Sequence, residues 1–146
     1  SGYLPAPMPP GHVPVPGTTN SVHQLACTDA ISVLAEQHGF GTDAAAAMTA
    51  ALASGASGDA FLDEVARRVA IVVSAACLLV DPSVLVLDGR YLVAGGEPFL
   101  DRLRVAVARL APTPAALALA GVHDEPILRG ALQIALDDAR DTLFAG

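Results

Sequence analysis

Two glycine-containing turns follow one apolar run of the sequence, and turns of this kind often hold phosphate groups. The run 83-SVLVLDG-89 continues into Arg90, and a glycine pair, Gly95-Gly96, follows a few residues later. Glycine lets the backbone come close to a phosphate, and a helix N-terminus attracts one. The carboxylate of Asp88 would repel phosphate unless Arg90 or a metal ion offset its charge. Two interpretations remain, a nucleotide loop and a surface turn finished by Asp88 and Arg90, and the surface turn is preferred.

The side chains that could bind a metal ion are scattered along the chain. A tetrahedral zinc site needs about four nitrogen or sulfur ligands, and the spacing of the histidines is not that of a ligand set: His12, His23, His38 and His123. The two cysteines, Cys27 and Cys77, lie far apart within apolar helical patterns. We interpret them as buried free thiols of an intracellular protein, and we expect neither a metal ion nor a cofactor.

The composition predicts one globular domain that does not itself bind nucleic acid. The chain has 146 residues, of which 53% are hydrophobic and 16% charged, so a packed core is expected. Its formal net charge is −7, and all eight basic residues are arginines, so it would repel phosphate overall. The most apolar run, 69–80, is about half the length that spans a bilayer. We therefore expect a cytoplasmic protein that does not enter membranes.

Helical patterns fill the first half of the chain after a Pro-rich start. Prolines at six of the first twenty positions predict an extended segment. Three helices are then predicted: one over 28–38 capped by Thr28, one over 43–55 capped by Thr42, and a long one from Asp59 to about Val80.

The long helix carries an apolar stripe that must be covered. Its predicted packing or dimer face contains side chains at three- and four-residue steps: Val65, Val69, Val72, Val73 and Ala76. The C-terminal half of this helix is apolar on nearly every side, so the sheet, other helices or a second subunit must cover it. We expect a homodimer.

The second half of the chain predicts a parallel βαβ unit. A strand over 83–89, a helix over 99–110 with Pro98 in its first turn, and a strand over 115–122 follow one another with short joints. A last helix is expected over 125–144. Two strands cannot cover so many helices, so further strands are expected in this chain or beyond it.

Several of these segments resemble the ROK family of repressors, open reading frames and kinases. The stretch 62–89 is similar to the long helix, Asp-Pro turn and strand of that family, and 91–107 to the small-residue turn and helix that follow. Near the C-terminus, 121-GVHDEPILRGALQIAL-136 is similar to the last helix of ROK proteins. The resemblance covers roughly residues 22–144.

The resemblance also identifies positions where ROK proteins hold zinc and sugar. Family members read Gly-His and then Cys-x-Cys-Gly-x-x-Gly-Cys-Leu-Glu, with the His and Cys on zinc and the His and Glu on the sugar. Here Tyr3 stands in place of the His, and His23 in place of the Glu. Pro16 and Ser21 replace two of the cysteines. The resemblance thus implies a vestigial ligand site of Tyr3, His23, Asp88 and Gly89 without zinc.

The resemblance implies an α/β chain that forms the C-terminal lobe of an actin-like, ribonuclease-H-like fold. Residues 1–21 would be a Pro-rich loop replacing the zinc motif, and 22–146 the lobe itself. The phosphate loop and catalytic base of a ROK kinase lie in the other lobe, so we expect no enzyme activity. The favoured function is the effector and dimerisation lobe of a transcriptional regulator, with DNA bound by a separate domain. Half of a sugar kinase and a ligand-free dimerisation module are the alternatives.

Overall fold

The computed structural model describes residues 19–111, 115–121 and 131–137. These residues form a helix-rich α/β structure in which a small parallel sheet lies beside packed helices. The elements in chain order are α1 (Thr19–Ala26), α2 (Thr28–Gln37), α3 (Ala44–Leu52), α4 (Gly55–Val80), β1 (Val84–Asp88), α5 (Arg90–Leu110), β2 (Ala116–Leu119) and β3 (Ala131–Ala135). Residues 1–18 of the Pro-rich loop predicted over 1–21 lie outside the described residues. Residues 19–21 belong to α1.

The sheet has the order β2-β1-β3, and both neighbours of β1 run parallel to it. The predicted βαβ unit is confirmed, because β1 and β2 pair in parallel and α5 connects them. Leu85 of β1 lies opposite Leu117 of β2 and Leu132 of β3. Leu85 is fully buried, so the central strand forms part of the core.

The third strand corrects the predicted C-terminal helix. Residues 131–135 pair with β1 from Val84 opposite Ala131 to Asp88 opposite Ala135, whereas the sequence predicts a helix there. Leu132 and Ile134 are half-buried and Gln133 between them is exposed, which is the two-residue period of a strand. Pairing with the central strand outweighs the helical propensity of this alanine- and leucine-containing segment. Other parts of the predicted helix, 125–130 and 138–144, lie outside the described residues.

Three predicted helix caps are wrong by one to five residues. Thr28 is the first residue of α2 rather than its cap, and its hydroxyl donates to the carbonyl oxygen of Leu136. Asp43 rather than Thr42 caps α3, because its carboxylate accepts from two backbone N–H groups of the first turn. The long helix begins at Gly55, which leaves Asp59 inside it.

Helix α5 begins earlier than predicted. The sequence places its start near Pro98, but helical structure begins at Arg90 and continues through a kink at Gly96. Gly96 has φ 62° and ψ −159°, a backbone conformation that glycine adopts most easily. Pro98 lies in the first turn after this kink, where the N–H that proline lacks would have no partner within the helix. The glycine pair therefore joins two helical segments.

The apolar stripe of α4 fills the core of its own chain. Val65, Val69 and Val73 are fully buried and Val72 is nearly so, while Ala76 is half-buried against the same cluster. These side chains are therefore not available to a second subunit. The last turn of α4 is different, because it exposes three large apolar side chains: Leu78 (85%), Leu79 (70%) and Val80 (58%).

Both cysteines carry free thiols, as predicted, but each is half-buried rather than buried. Cys27 lies between α1 and α2, and Cys77 lies near the end of α4. In the described part of the chain, no helix combines the length and apolar character needed to cross a membrane.

Candidate functional site

The carboxyl end of β1 lies where the order of the strands reverses. From β1 the chain passes through α5 to β2 on one side, and β3 lies on the other side. In open parallel sheets, ligands bind in the crevice outside the carboxyl ends of the strands at such a reversal. The residues at this point are Asp88, Gly89 and Arg90, so the turn identified in the sequence occupies the position where a ligand is expected.

Asp88 is held by the neighbouring strand. Its Oδ2 accepts a hydrogen bond from Nε2 of Gln133 at 3.0 Å, and its backbone carbonyl accepts one from the N–H of Leu136 at 2.7 Å. No ion pair between Asp88 and Arg90 is found among the described residues. The carboxylate thus fixes the end of β3 to β1, a role that neither predicted interpretation included.

Gly89 is buried and precedes the first turn of α5. Its φ of 164° is extended backbone that any residue can adopt, so conformational freedom does not require glycine here. Space does restrict the position: a Cβ would lie 3.3 Å from Cδ1 of Leu92 and 3.7 Å from Cβ of Leu136. This glycine allows close packing between β3 and α5.

A second carboxylate, that of Asp137, lies at the start of α5. Its Oδ1 accepts from the backbone N–H of Arg90 at 3.0 Å. The first N–H groups of a helix have no partner within the helix, and they carry the positive end of its dipole. A bound phosphate would use the same N–H, so Asp137 takes the position that a nucleotide would need.

His23 is hydrogen-bonded to the same end of the sheet. Its Nε2 lies 3.0 Å from the carbonyl oxygen of Ala135, the residue opposite Asp88 in the parallel register. Since a carbonyl oxygen only accepts, Nε2 carries the proton and donates. The structure therefore brings together His23, Asp88 and Gly89, while Tyr3 lies outside the described residues.

A polar crevice opens beside this turn, at the starts of three helices. It has a volume of about 460 Å³ and we call it the hydroxyl crevice. Its polar walls come from α2, the start of α3 and the start of α5: Thr28, Ser32, Thr42, Asp43, Arg90 and Tyr91. Four hydroxyl groups, one carboxylate and one guanidinium line the crevice, and together they can hydrogen-bond an uncharged polar ligand from several directions.

Two residues of the crevice have structural roles as well. The buried hydroxyl of Tyr91 donates to the carbonyl oxygen of Ala26 at 2.5 Å, and burial raises the pKa of Tyr91 so that it stays neutral. Oδ1 of Asp43 accepts from the backbone N–H of Ala45 at 3.1 Å. These bonds make two walls of the crevice rigid before any ligand binds.

The residues that the structure describes form no candidate metal site. Among them, no group of three or more His, Cys, Asp or Glu side chains is close enough to hold a metal ion.

Comparison of the chain with protein-family models, curated proteins and solved structures gives no match. The resemblance to ROK proteins therefore depends on the sequence segments quoted above.

Sequence reasoning missed the residues that decide the chemistry of this site. Gln133 and Asp137 fall in a segment with a helical pattern, and the pairing of this segment with β1 is what brings them to the turn. Ser32 shows no motif, and Thr42 is predicted only as a helix cap. The one available signal is the concentration of hydroxyl residues near predicted helix starts, which also fits ordinary capping.

Proposed function

We propose that this chain is a non-catalytic effector and dimerisation lobe of a ROK-type transcriptional regulator. In this proposal the chain is the C-terminal lobe of an actin-like fold and works in the cytoplasm without a cofactor. A separate helix-turn-helix domain binds DNA, and a sugar is the effector of the intact protein. Two copies associate through their effector lobes.

The observation that carries the proposal is the carboxylate of Asp137 on the N–H of Arg90. A kinase of this family would bring phosphate groups to this turn. Here the N–H has a partner from its own chain, and Asp88 adds a second carboxylate nearby. The negative charges at the end of β1 and at the start of α5 both oppose a phosphate. This favours a regulator over the sugar-kinase alternative.

The distribution of positive charge supports a separate DNA-binding domain. The guanidinium groups of Arg67, Arg68, Arg102 and Arg104 each pair with carboxylates of the same chain. A surface that binds DNA presents arginine and lysine to phosphates, whereas these four already pair with carboxylates of their own chain. Together with a net charge of −7, this disfavours direct contact between the lobe and DNA.

The exposed last turn of α4 supports association of two copies. Leu78 and Leu79 are large, apolar and mostly exposed, and they are adjacent in sequence. Exposed apolar patches on globular proteins commonly mark interfaces. The same turn also fits the ligand-free dimerisation module, which differs from the regulator in having no effector.

The test uses the protein expressed from its complete reading frame. Binding to the DNA upstream of its gene is measured by gel shift with and without a panel of hexoses and amino sugars, and ATP-dependent phosphorylation of the same sugars is measured in parallel. The proposal predicts DNA binding that at least one sugar changes, and no phosphorylation. Sugar phosphorylation would establish the kinase alternative, and dimerisation without DNA or sugar binding would establish the module.

A further inference from the structure

A second cavity lies between helices α4 and α5. Its volume is about 460 Å³, and we call it the arginine groove. Its walls include Ala66, Arg67 and Ala70 of α4 and Arg102, Val105 and Arg109 of α5. We propose that this groove docks an amphipathic helix with an acidic face, supplied by a partner protein.

The spacing of the lining residues gives the groove the shape of a helix-binding site. On α4 they recur at three- and four-residue steps, and on α5 they do the same. Each set forms one stripe along its helix, and the two stripes lie side by side. A third helix laid along such a pair of stripes can insert its own side chains between them.

The floor of the groove is narrow and apolar. Ala66 is 2% exposed and Ala70 is fully buried, and neither has a side chain beyond Cβ. Because both alanines are already covered, a docked helix would contact the side chains around them, Arg67 and Ala106 among them. Val105 and Leu110 on the α5 side are 56% and 52% exposed, so they offer apolar surface that a partner would cover.

The charges along the groove favour an acidic partner at one end. Asp59 and Asp63 share Arg102, at 2.5 and 2.8 Å, so this part of the groove has no spare positive charge. Further toward the carboxyl ends of the helices, Arg67 and Arg68 share the single carboxylate of Glu64. Of these two arginines only Arg67 lines the groove, and the shared carboxylate offsets its charge only in part.

Arg109 adds a further positive charge at the same end. Among the described residues, its guanidinium forms no hydrogen bond or ion pair, and it lines the groove beside Leu110. The chain as a whole has a net charge of −7, so a positive charge at this end of the groove differs in sign from the net charge of the protein. Charge complementarity therefore favours an acidic helix over a basic one as the ligand of the groove.

The probe for this proposal is a designed helical peptide of about 16 residues, with leucines at three- and four-residue steps and glutamates elsewhere. It is titrated into the 146-residue chain, and the backbone amide signals of the protein are followed by NMR. A peptide with lysine in place of every glutamate is the matched control. We expect saturable shifts on the groove residues of α4 and α5 with the acidic peptide, and binding at least about tenfold weaker with the lysine peptide.

Two variants locate the contact. Arg109→Gln removes the unpaired charge of the groove, and we expect it to weaken binding of the acidic peptide about fivefold, with an effect that shrinks as salt rises from about 50 to about 300 mM. Arg104→Gln removes a charge from α5 outside the groove, where Arg104 pairs with Asp101, and should leave binding unchanged.

Three results would overturn the proposal. The first is equal binding of the acidic and lysine peptides, and the second is equal loss of binding in the two arginine variants. The third is self-association of the chain that Arg109→Gln abolishes, because the occupant would then be a second copy rather than an acidic helix.

Discussion

The backbone N–H of Arg90 donates to Oδ1 of Asp137 at 3.0 Å, and this bond joins the start of α5 to the residues that follow β3. An anion at a helix N-terminus is stabilised by the unpaired N–H groups and by the helix dipole. The chain supplies that anion itself, so the first N–H of α5 is already paired with a carboxylate.

Replacement of Asp137 should destabilise the fold modestly. Asp137→Ala removes the acceptor from the N–H of Arg90, and we expect the free energy of unfolding to fall by about 1 kcal/mol, as for loss of a helix cap. Urea denaturation followed by circular dichroism measures the change. Asp29→Ala, on the exposed first turn of α2, is the control and should cost only a few tenths of a kcal/mol. Equal effects of the two substitutions would contradict the role given to Asp137.

The contact between α3 and α4 requires glycine at position 58. A Cβ on Gly58 would lie 1.9 Å from the carbonyl oxygen of Ala51, so the two helix backbones would have to separate. We expect Gly58→Ala to lower the free energy of unfolding by about 2 kcal/mol or more, despite the higher helix propensity of alanine. Thermal and urea unfolding give this value. Ala60→Ser at an exposed neighbouring position should change it by less than about 0.5 kcal/mol, and a neutral or stabilising Gly58→Ala would show that the helices are not this close.

The acid sensitivity of the fold should depend in part on Glu64. Hydrogen bonds from Arg67, and also from Arg68, lower the pKa of Glu64 to about 2 from an ordinary 4.5. Since the folded pKa is depressed, the stabilisation is present above about pH 4.5 and is lost as the pH falls toward 2. Glu64→Gln should therefore lower stability at pH 7 by less than about 1 kcal/mol, because solvent screens the pair, and should match the parent near pH 2. NMR titration of the Glu64 carboxyl and unfolding curves across this range provide the test, and an ordinary carboxyl pKa would refute it.

A dimer of this chain should depend on the exposed turn of α4. Leu78→Glu places a charge on a side chain that is 85% exposed, so it should leave the circular dichroism spectrum of the folded chain unchanged and convert dimer to monomer in sedimentation. Val33→Glu, at a 55% exposed position of α2, is the control and should leave the dimer intact. A dimer that survives Leu78→Glu would place the interface elsewhere.

Local patterns in the sequence predict most of the helices and the first two strands. The stripe through Val65 and Val69 defines α4, and β1 is marked by an apolar run that a proline precedes and a glycine ends. Both signals are local, because they come from side-chain periodicity and from residues that break helices. Cap residues and element ends are less well predicted, since Thr42 and Asp43 are both good caps and only geometry selects Asp43.

The third strand and the site depend on contacts that are remote in sequence. Residues 131–135 are compatible with helix or strand by themselves, and only pairing with β1 makes them a strand. Gln133 meets Asp88 at a separation of 45 residues. The hydroxyl crevice likewise joins Ser32 to Arg90, which no spacing rule connects. Sequence reasoning can therefore locate the turn after β1, but it cannot identify the partners that give the turn its chemistry.

The most direct test of whether this turn binds a nucleotide is a titration of Mg-ATP into the protein expressed from its complete reading frame, followed by calorimetry and by the backbone amide signals of Gly89 and Arg90. Because Asp137 accepts from the N–H of Arg90 and Asp88 lies at the same turn, we expect no heat of binding and no shift at either amide. Saturable binding of ATP with shifts at Gly89 and Arg90 would contradict it and would make this turn a working nucleotide site.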